Sequence, residues 1–458
     1  MKKILAIALS LVSCFGLASC GGYDGSDPNV LRITVNSTDP ELNLSATLNR
    51  AFKQKMLEEY GREITIKQST FSESNYAENI DTLVGSKELG DVVFTYDDKS
   101  GIKMKEGYFD DLDTFIAEDS TFDINDYDAE IISSARSYQN QLAYIPRSFD
   151  QITMFINKDF FKDIGMEDKI PSTAIYGENW ENWTWSALYD LCAEMRTAID
   201  ESDAYKNKRD YYCPLDANFF WNPVYDPILK AFGSYSVDVT TLKSGFDDEN
   251  TAVYDKTIKA LEFMQSFVKN QYSYAGWGSF SSGNQGLYLA TRPAVTSCID
   301  KGMDVAFAPF PKFTEETTGI ANTTTYVGYG SAGYAIYSLS KNKDLAWEYI
   351  KFVCGEEGQK LIGANGTCVP VLKSELTANG EWTNSLPGVD QSAFIYDGHT
   401  RSLATYARGL LVNTEFNFYK ETQSILIDGL EKKTAADICA TVFNTVRHYL
   451  TPEEGANR

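Results

Sequence analysis

The sequence is poor in histidine, which leaves little material for the sites that depend on it. Only His399 and His448 occur among 458 residues. Histidine is the usual general base of a hydrolytic triad and a common ligand of catalytic zinc. No two cysteines stand in a CxxC pair either. The sequence therefore predicts no metal site and no cofactor.

Positive charge is also scarce. The chain has 41 Lys and Arg residues against 64 Asp and Glu residues, a formal net charge of -23. Loss of Lys2 and Lys3 with a leader segment would lower this charge from -23 to -25. Nucleic acids and anionic lipid surfaces attract basic patches, so the charge argues against both as partners.

The sequence has no apolar run long enough to span a membrane. A shorter apolar run lies near the N-terminus. Residues 4–12 follow two lysines and precede small residues. The run falls short of the roughly 20 residues that a membrane span needs, so we predict an export signal over residues 1–19. The following "LASC" (17–20) resembles the lipobox of bacterial lipoproteins, in which the cysteine is acylated and becomes the first residue. The glycine-rich segment 20–29 then serves as a flexible tether.

The alternative is an ordinary signal peptide with an incidental cysteine. "LVSC", ending at Cys14, is a poorer match because its apolar centre would be very short. We expect an extracytoplasmic protein held at the cell membrane by an acyl chain, such as palmitate, on Cys20. Disulfides are permitted in that compartment, but scattered buried thiols fit equally well. The sequence does not decide between disulfides and free thiols for the six later cysteines: Cys192, Cys213, Cys298, Cys354, Cys368 and Cys439.

The length predicts two domains, and the mature chain opens with alternating strands and helices. Residues 31–35, 63–68 and 91–96 read as strands, and 45–61 and the region near 75–88 as helices. This alternation predicts a parallel sheet with right-handed crossovers. Ligands of such sheets lie beyond the carboxyl ends of the strands.

Later segments continue the α/β pattern. Residues 144–166 predict a strand leading into a short helix, and "DVAFAPFP" and "GYAIYS" predict further strands. Amphipathic helices are predicted over 184–199, capped by Thr184, over 344–363, capped by Asp344, and over 434–450.

Several segments, in this order, resemble the extracellular solute-binding proteins of ABC importers, family 1, which includes the maltose-binding type. They are "AYIPRSFDQITMFINKDFFKDIGM", the helix start at Thr184 and Trp185, "SGNQGLYLATRPAV" with "DVAFAPFP", and "VGYGSAGYAIYSLSKNKDLAWEYIKFVCGEEGQKL" with "NGTCVPV". The resemblance covers nearly the whole mature chain.

The resemblance implies a two-lobed α/β fold of the periplasmic-binding-protein type II, with hinged lobes and a ligand cleft. Lobe 1 would hold residues 30–146 and 331–377, and lobe 2 residues 151–325 and 378–458. Hinge segments would lie near 147–150, near 326–330 and near 378. The implied function is capture of a sugar and its delivery to permease subunits, by a monomer without enzymatic activity.

The resemblance and the positions of polar and aromatic residues also suggest which side chains bind the ligand. Sugars offer apolar faces to aromatic rings and hydroxyls to Asp, Asn and Arg. The candidates are Asp39, Tyr96, Asp97, Asp98, Asp150, Asn218, Trp221, Trp277, Arg292, Tyr329 and Phe416.

Structural roles compete with these assignments. Asp39 and Asp98 could be helix caps, and Asp150 could stabilise the hinge. Arg147 fits a structural ion pair, and Trp185 and Trp347 fit core positions on amphipathic helices. The chain also departs from the maltose-binding pattern, since Thr95 and Pro293–Ala294 stand where that type carries tryptophans.

Two other functions stay open at the level of sequence. One is an exported glycan hydrolase with two carboxylates, for which "YGSAG" (329–333) misses the nucleophile-elbow pattern at its first glycine. The other is a binding protein for a non-sugar solute such as a polyamine or a peptide. "DINDYDAEIISS" (123–134) begins like a calcium loop, but it lacks the glycine at position six and the acid at position twelve.

Overall fold

The structure is a computed structural model that describes residues 27–137, 139–208, 211–238, 241–276, 278, 280–377, 380–403 and 418–450. The predicted signal, the tether up to residue 26, Cys20, Trp277, Phe416 and the predicted boundary at 378 lie outside the described residues.

The strands of the described residues follow the chain in this order: β1 Val30–Asn36, β2 Thr65–Phe71, β3 Val92–Tyr96, β4 Ile145–Gln151, β5 Thr153–Asn157, β6 Cys213–Asp216, β7 Val237–Asp238, β8 Lys243–Ser244, β9 Gln285–Ala290, β10 Val305–Pro309, β11 Tyr326–Ile336, β12 Val369–Pro370 and β13 Thr400–Ser402.

The α-helices are α1 Asp39–Tyr60, α2 Tyr76–Gly85, α3 Asp97–Lys105, α4 Leu112–Glu118, α5 Ala129–Ser134, α6 Lys158–Asp163, α7 Thr173–Tyr176, α8 Trp185–Glu201, α9 Asn222–Ala231, α10 Thr251–Lys269, α11 Ala294–Asp300, α12 Glu315–Thr318, α13 Lys343–Cys354, α14 Glu356–Asn365, α15 Phe418–Lys432 and α16 Ala435–Val446.

The first sheet has the strand order β12-β4-β11-β3-β1-β2, with β13 paired to β11. β1 pairs in parallel with β2 and with β3, as the alternating pattern at the N-terminus predicts. The sheet as a whole is mixed, because β11 runs antiparallel to both β3 and β4. The carboxyl ends of β1, β2 and β3 lie at one edge, where Asn36, Glu73 and Tyr96 follow the buried strand residues.

The second sheet has the order β10-β5-β9-β6 among the described residues. β5 pairs antiparallel with both β10 and β9, and β6 pairs in parallel with β9. Helix α8 begins as predicted: the Thr184 side chain accepts a hydrogen bond from the Ala187 amide, and Trp185 is fully buried.

The molecule has two hydrophobic cores. The second sheet contributes to both, since Phe155 and Phe307 pack in the first core, and two chain segments pass from one core to the other. In β4, Ile145 and Phe149 pack in the first core, whereas Ile152, just after the strand, packs in the second. In β11, Tyr334 belongs to the first core and Val327 to the second. These antiparallel strands therefore connect the two halves of the molecule side by side.

The chain after the predicted boundary near 378 contributes to both cores. Trp382 and Phe394 pack in the first core, whereas Phe418 and Ile438 pack in the second. The lobe boundaries stay a prediction.

The helix predicted over 344–363 is wrong in two details. It consists of α13 and α14, separated at Gly355, whose backbone is extended. Asp344 is not the cap but the second residue of α13, which follows Asn342. A Cβ at position 355 would lie 2.5 Å from the Lys351 carbonyl oxygen, so the sharp break there needs a glycine.

The six cysteines that follow the tether are free and buried. Among the described residues, no helix combines the length and the apolar character that a membrane span requires.

Candidate ligand-binding cleft

A cavity of about 1040 Å³ lies between the two halves of the molecule, and we call it the cleft. Its lining comes from the carboxyl ends of β1 and β3, the connecting strands β4 and β11, the start of α9, and the start of α15. The lining residues are Asn36, Thr38, Pro40, Glu41, Glu73, Ser74, Phe94, Tyr96, Asp97, Asp98, Lys99, Arg147, Ser148, Asp150, Ile152, Trp221, Pro223, Thr291, Pro293, Thr296, Gly328, Tyr329, Gly330, Ser331, Ala332, Thr367, Cys368, Tyr419 and Lys420.

The first wall of the cleft is a hydrogen-bonded group at the carboxyl ends of the parallel strands. The Asn36 amide nitrogen donates to the Tyr96 hydroxyl at 2.6 Å and to Glu73 Oε2 at 3.4 Å. Phe71 packs edge-on against Tyr96, with ring centroids 6.4 Å apart. These contacts hold the Tyr96 ring in place at the edge of the cleft.

Acidic side chains crowd the same wall. Lys99 forms an ion pair with Asp98 at 2.5 Å. Burial raises the pKa of Asp97 well above its usual range, and the nearby Asp98 charge raises it further. Burial and Asp98 also raise the pKa of Glu73. Carboxyl groups in this state can accept a hydrogen bond from a ligand hydroxyl or donate one to it.

The floor of the cleft is formed by the connecting strands. Arg147 of β4 makes a bidentate ion pair with Glu41, at 2.8 and 3.0 Å, and its guanidinium lies 4.4 Å from the Phe94 ring centroid. This is the structural ion pair that the sequence suggested for Arg147. Asp150 lies opposite Gly330 across the strand pair. Burial raises the pKa of Asp150 to about 7, although the charges of Arg292 and Arg147 oppose the shift.

The second wall carries Trp221 and Pro223 at the start of α9. Trp221 is the N-cap residue of that helix and is partly buried. The helix lies directly against β11, since a Cβ at Gly328 would stand 1.9 Å from the Pro223 carbonyl oxygen. A glycine at position 328 therefore lets the second wall approach the connecting strand. Tyr419, at the start of α15, adds another aromatic ring.

The cleft brings together six of the candidates from the sequence: Tyr96, Asp97, Asp98, Asp150, Trp221 and Tyr329. Asp39 is exposed as the first residue of α1 and does not line the cleft. Asn218 is buried outside it, and its amide donates to the Leu289 carbonyl oxygen at 2.9 Å. Arg292 is 2% exposed and lines a smaller neighbouring cavity.

The sequence analysis missed several cleft residues. Glu41 and Glu73 lie in helical segments that directly follow strands of the parallel sheet, and that position was a usable signal. Thr367 and Tyr419 come from far along the chain. No local pattern marks them, because only the tertiary fold brings them to the cleft.

Another cavity, of about 730 Å³, lies on the outer side of the first half, between α1, α13 and residues 121–127. Its lining comes from the first half alone. A ligand there would not contact both halves, and we therefore assign the ligand-binding role to the cleft.

Comparison with known protein families decides the identity of the fold. A family model described as bacterial extracellular solute-binding protein matches residues 45–360, well over half of the chain. The chain belongs to this family. A comparison with curated protein sequences gives no match.

Solved structures of the same architecture are similar over almost their full length. An ABC substrate-binding protein from Listeria monocytogenes, in complex with cycloalternan, has a TM-score of 0.69 at 13% identity, covering 92% of this chain and 99% of that one. The cyclic alpha-maltosyl-1,6-maltose binding protein from Arthrobacter globiformis has a TM-score of 0.69 at 14% identity, with 93% and 99% covered.

UgpB from Mycobacterium tuberculosis, in complex with glycerophosphocholine, has a TM-score of 0.69 at 16% identity, with 93% and 98% covered. At these identities the likeness establishes the fold. The predicted α/β architecture, two lobes of the periplasmic-binding-protein type around a ligand cleft, is confirmed, as is the assignment to the extracellular solute-binding proteins.

Proposed function

We propose that the protein is the lipid-anchored solute-binding subunit of an ABC importer, which captures a sugar or oligosaccharide between its lobes and delivers it to permease subunits. The observation that carries this proposal is the cleft of about 1040 Å³, which both halves of the molecule line with aromatic rings and into which the first half and β4 bring carboxyl groups. Family membership supports a binding role, and we infer a monomer that does not catalyse a reaction.

The chemistry of the cleft suits a saccharide. Tyr96 and Trp221 lie on opposite walls and offer apolar ring faces to the C–H faces of a sugar. Asp97 and Asp150 offer carboxyl oxygens to its hydroxyls. The ligands named for the Listeria and Arthrobacter proteins are carbohydrates, which supports this assignment.

Lobe closure would couple binding to delivery. We place the hinges at residues 147–150 and 326–330, where β4 and β11 pass between the two cores, and near 378. Shifting such an equilibrium from about 1:99 to 99:1 requires roughly 5.5 kcal/mol of preferential binding to the closed state. One hydrogen bond contributes about 0.5–1.5 kcal/mol, so closure requires contacts from both walls.

Calorimetric titration of the purified protein tests the binding proposal. The panel contains maltose, galactobiose, cyclic oligosaccharides, spermidine, glycerophosphocholine and a tripeptide. We expect saturable binding of at least one saccharide, with the saccharide recovered unchanged. Binding of spermidine, glycerophosphocholine or the peptide alone would favour the non-sugar alternative. Turnover of a glycan would favour the hydrolase.

The lipid anchor is a separate part of the proposal. Export and acylation would leave Cys20 as the first residue, joined to the folded part by residues 21–26. At roughly 3.5 Å per extended residue, this tether spans about 25 Å at most. Mass spectrometry of the N-terminal peptide is expected to show an acylated Cys20. A Cys20→Ala variant that stays in the membrane fraction would contradict the assignment, and Cys14→Ala is the matched control.

A further inference from the structure

A small cavity next to the cleft contains a buried arginine. It encloses about 210 Å³, and we call it the Arg292 pocket, lined among others by Arg292, Thr296, Asp300, Asn365, Gly366 and Thr367. Thr296 and Thr367 line the cleft as well. A ligand in the cleft could therefore extend a substituent into the pocket.

The Arg292 side chain is held in a fixed position from behind. Its Nε donates to Gln391 Oε1 at 2.8 Å, and its guanidinium carbon lies 5.8 Å from the Phe394 ring centroid. Gln391 is itself fixed, because its amide nitrogen donates to the Trp382 carbonyl oxygen at 3.0 Å and to Ser385 Oγ at 3.1 Å. Gln391 and Phe394, which are remote from Arg292 in sequence, thus orient its side chain.

The terminal nitrogen Nη2 of Arg292 lies next to a residue that lines the pocket. A Cβ at Gly366, which lines the pocket, would lie 3.6 Å from Nη2. Within the described part of the chain, the guanidinium donates its one side-chain hydrogen bond through Nε and forms no ion pair. Two Nη groups, with four N–H donors, are left for a partner.

Neighbouring negative charges stabilise the buried positive charge of Arg292 only in part. Burial lowers the pKa of Arg292 to about 10, and the charge of Asp150, whose carboxyl group accepts a hydrogen bond from the Arg292 backbone, opposes this shift. Gly366 ends α14, so partial negative charge of the helix terminus also lies nearby. A buried cation without a hydrogen-bonded anion destabilises the folded protein, and a bound anion would remove that penalty.

We propose that the Arg292 pocket receives an anionic group of the bound solute, a carboxylate or a phosphate. The two Nη groups would bind two oxygens of this group side by side, as arginine does with planar anions. The Thr296 hydroxyl and the Asn365 amide line the pocket and supply neutral donors. This inference rests on the proposed function and narrows the solute from saccharides in general to acidic saccharides.

Calorimetry on the detergent-solubilised full mature chain tests this with matched acidic and neutral probes. The pairs are digalacturonate with galactobiose, glucuronate with glucose, and glucose 6-phosphate with glucose, and inorganic phosphate is titrated alone. We expect an acidic probe to bind about tenfold or more tightly than its neutral partner, since charge-assisted bidentate pairs exceed neutral hydrogen bonds. Arg292→Gln is expected to abolish this preference, and Arg292→Lys to keep part of it.

A second variant covers the case in which changes at Arg292 prevent folding. Asp300 is exposed and lines the pocket, and its charge repels an anion there. Asp300→Asn is therefore expected to tighten binding of the acidic probe more than binding of its neutral partner. Circular dichroism and thermal unfolding establish that each variant is folded.

The outcomes separate this inference from the proposed function. Equal affinity for the acidic and the neutral member of every pair would overturn the anion pocket. So would binding of the acidic probes that changes neither on substitution of Arg292 nor on substitution of Asp300. If a neutral saccharide still binds in that case, the proposed function stands. Binding of inorganic phosphate alone would keep an anion site but overturn its assignment to a saccharide.

Discussion

Trp221 is the residue of the second wall that we propose to contact the apolar face of a sugar. It lies between the buried residues that precede it and the first turn of α9, and part of its ring is open to the cleft. The helix start therefore fixes the backbone of Trp221, and its side chain packs against the second core.

Replacement of Trp221 by alanine is expected to weaken saccharide binding without unfolding the protein. Loss of one buried apolar side chain from the complex corresponds to about 2 kcal/mol, or roughly 30-fold in Kd. The matched control is Tyr211→Ala, at an aromatic residue that is 53% exposed and outside the cleft lining. Calorimetry checks both, and equal affinities of Trp221→Ala and the original protein would remove Trp221 from the site.

Asp216 is a buried carboxyl group whose ionisation opposes folding. It is 2% exposed, one oxygen has no hydrogen-bond partner, and burial raises its pKa to about 7 from the usual 3.8. Between about pH 4 and pH 7 the unfolded chain has released this proton whereas the folded protein retains it. The free energy of unfolding therefore falls as the pH rises through this window, by about 1.4 kcal/mol for each unit of pKa difference.

Asp216→Asn is expected to reduce this fall. Urea unfolding at about pH 5 and about pH 8 measures the difference. The exposed acid Asp168 provides the control Asp168→Asn, whose pH dependence should match that of the original protein. If Asp216→Asn keeps the original pH dependence, Asp216 does not retain its proton in the folded state.

At the scale of elements, the parallel strands and amphipathic helices were predictable, and the breaks between elements were not. β1, β3, α8 and α16 begin and end within a few residues of the prediction. The two strands are short, nearly continuous runs of buried residues, and the two helices bury residues at helical spacing. Helix α1 begins at Asp39, six residues before the predicted start. Its first turn is exposed and polar, so no apolar pattern marks it, although Pro40 and two acids give a start signal.

The site was predictable to the extent that it lies at strand ends. Tyr96 ends β3 and is followed by Asp97 and Asp98, and the pattern of the sheet alone places them at the ligand edge. The position of Arg292 next to the site depends on the tertiary fold, and no local sequence pattern indicates it. Its neighbour Gln391 is about a hundred positions away, and the resemblance suggested a ligand contact without showing the separate pocket.

The contact between α9 and β11 predicts an effect of Gly328→Ala on stability. The added methyl group would lie 1.9 Å from a backbone oxygen, which cannot rotate away. Overpacking of this kind costs about 1–3 kcal/mol, so the free energy of unfolding should fall by that amount. Gly85→Ala is the matched control, because it ends α2 with no atom within 4 Å of the new methyl group. Urea unfolding compares the two variants, and equal stability would contradict the close approach.

At the scale of the whole molecule, two cores joined by paired strands support the proposed binding by lobe closure. β4 and β11 are hydrogen-bonded neighbours. β11 has residues in both cores, and β4 leads directly to Ile152 in the second core, so a small rotation about them would change the distance between the cleft walls. A ligand shifts the equilibrium only through contacts that exist in the closed state.

Small-angle X-ray scattering of the protein with and without a saturating saccharide tests the central claim, capture of a solute between two closing lobes. The account predicts that the radius of gyration decreases on binding, and that Trp221→Ala requires more saccharide for the same decrease. A saccharide that binds by calorimetry and leaves the radius of gyration unchanged would contradict it.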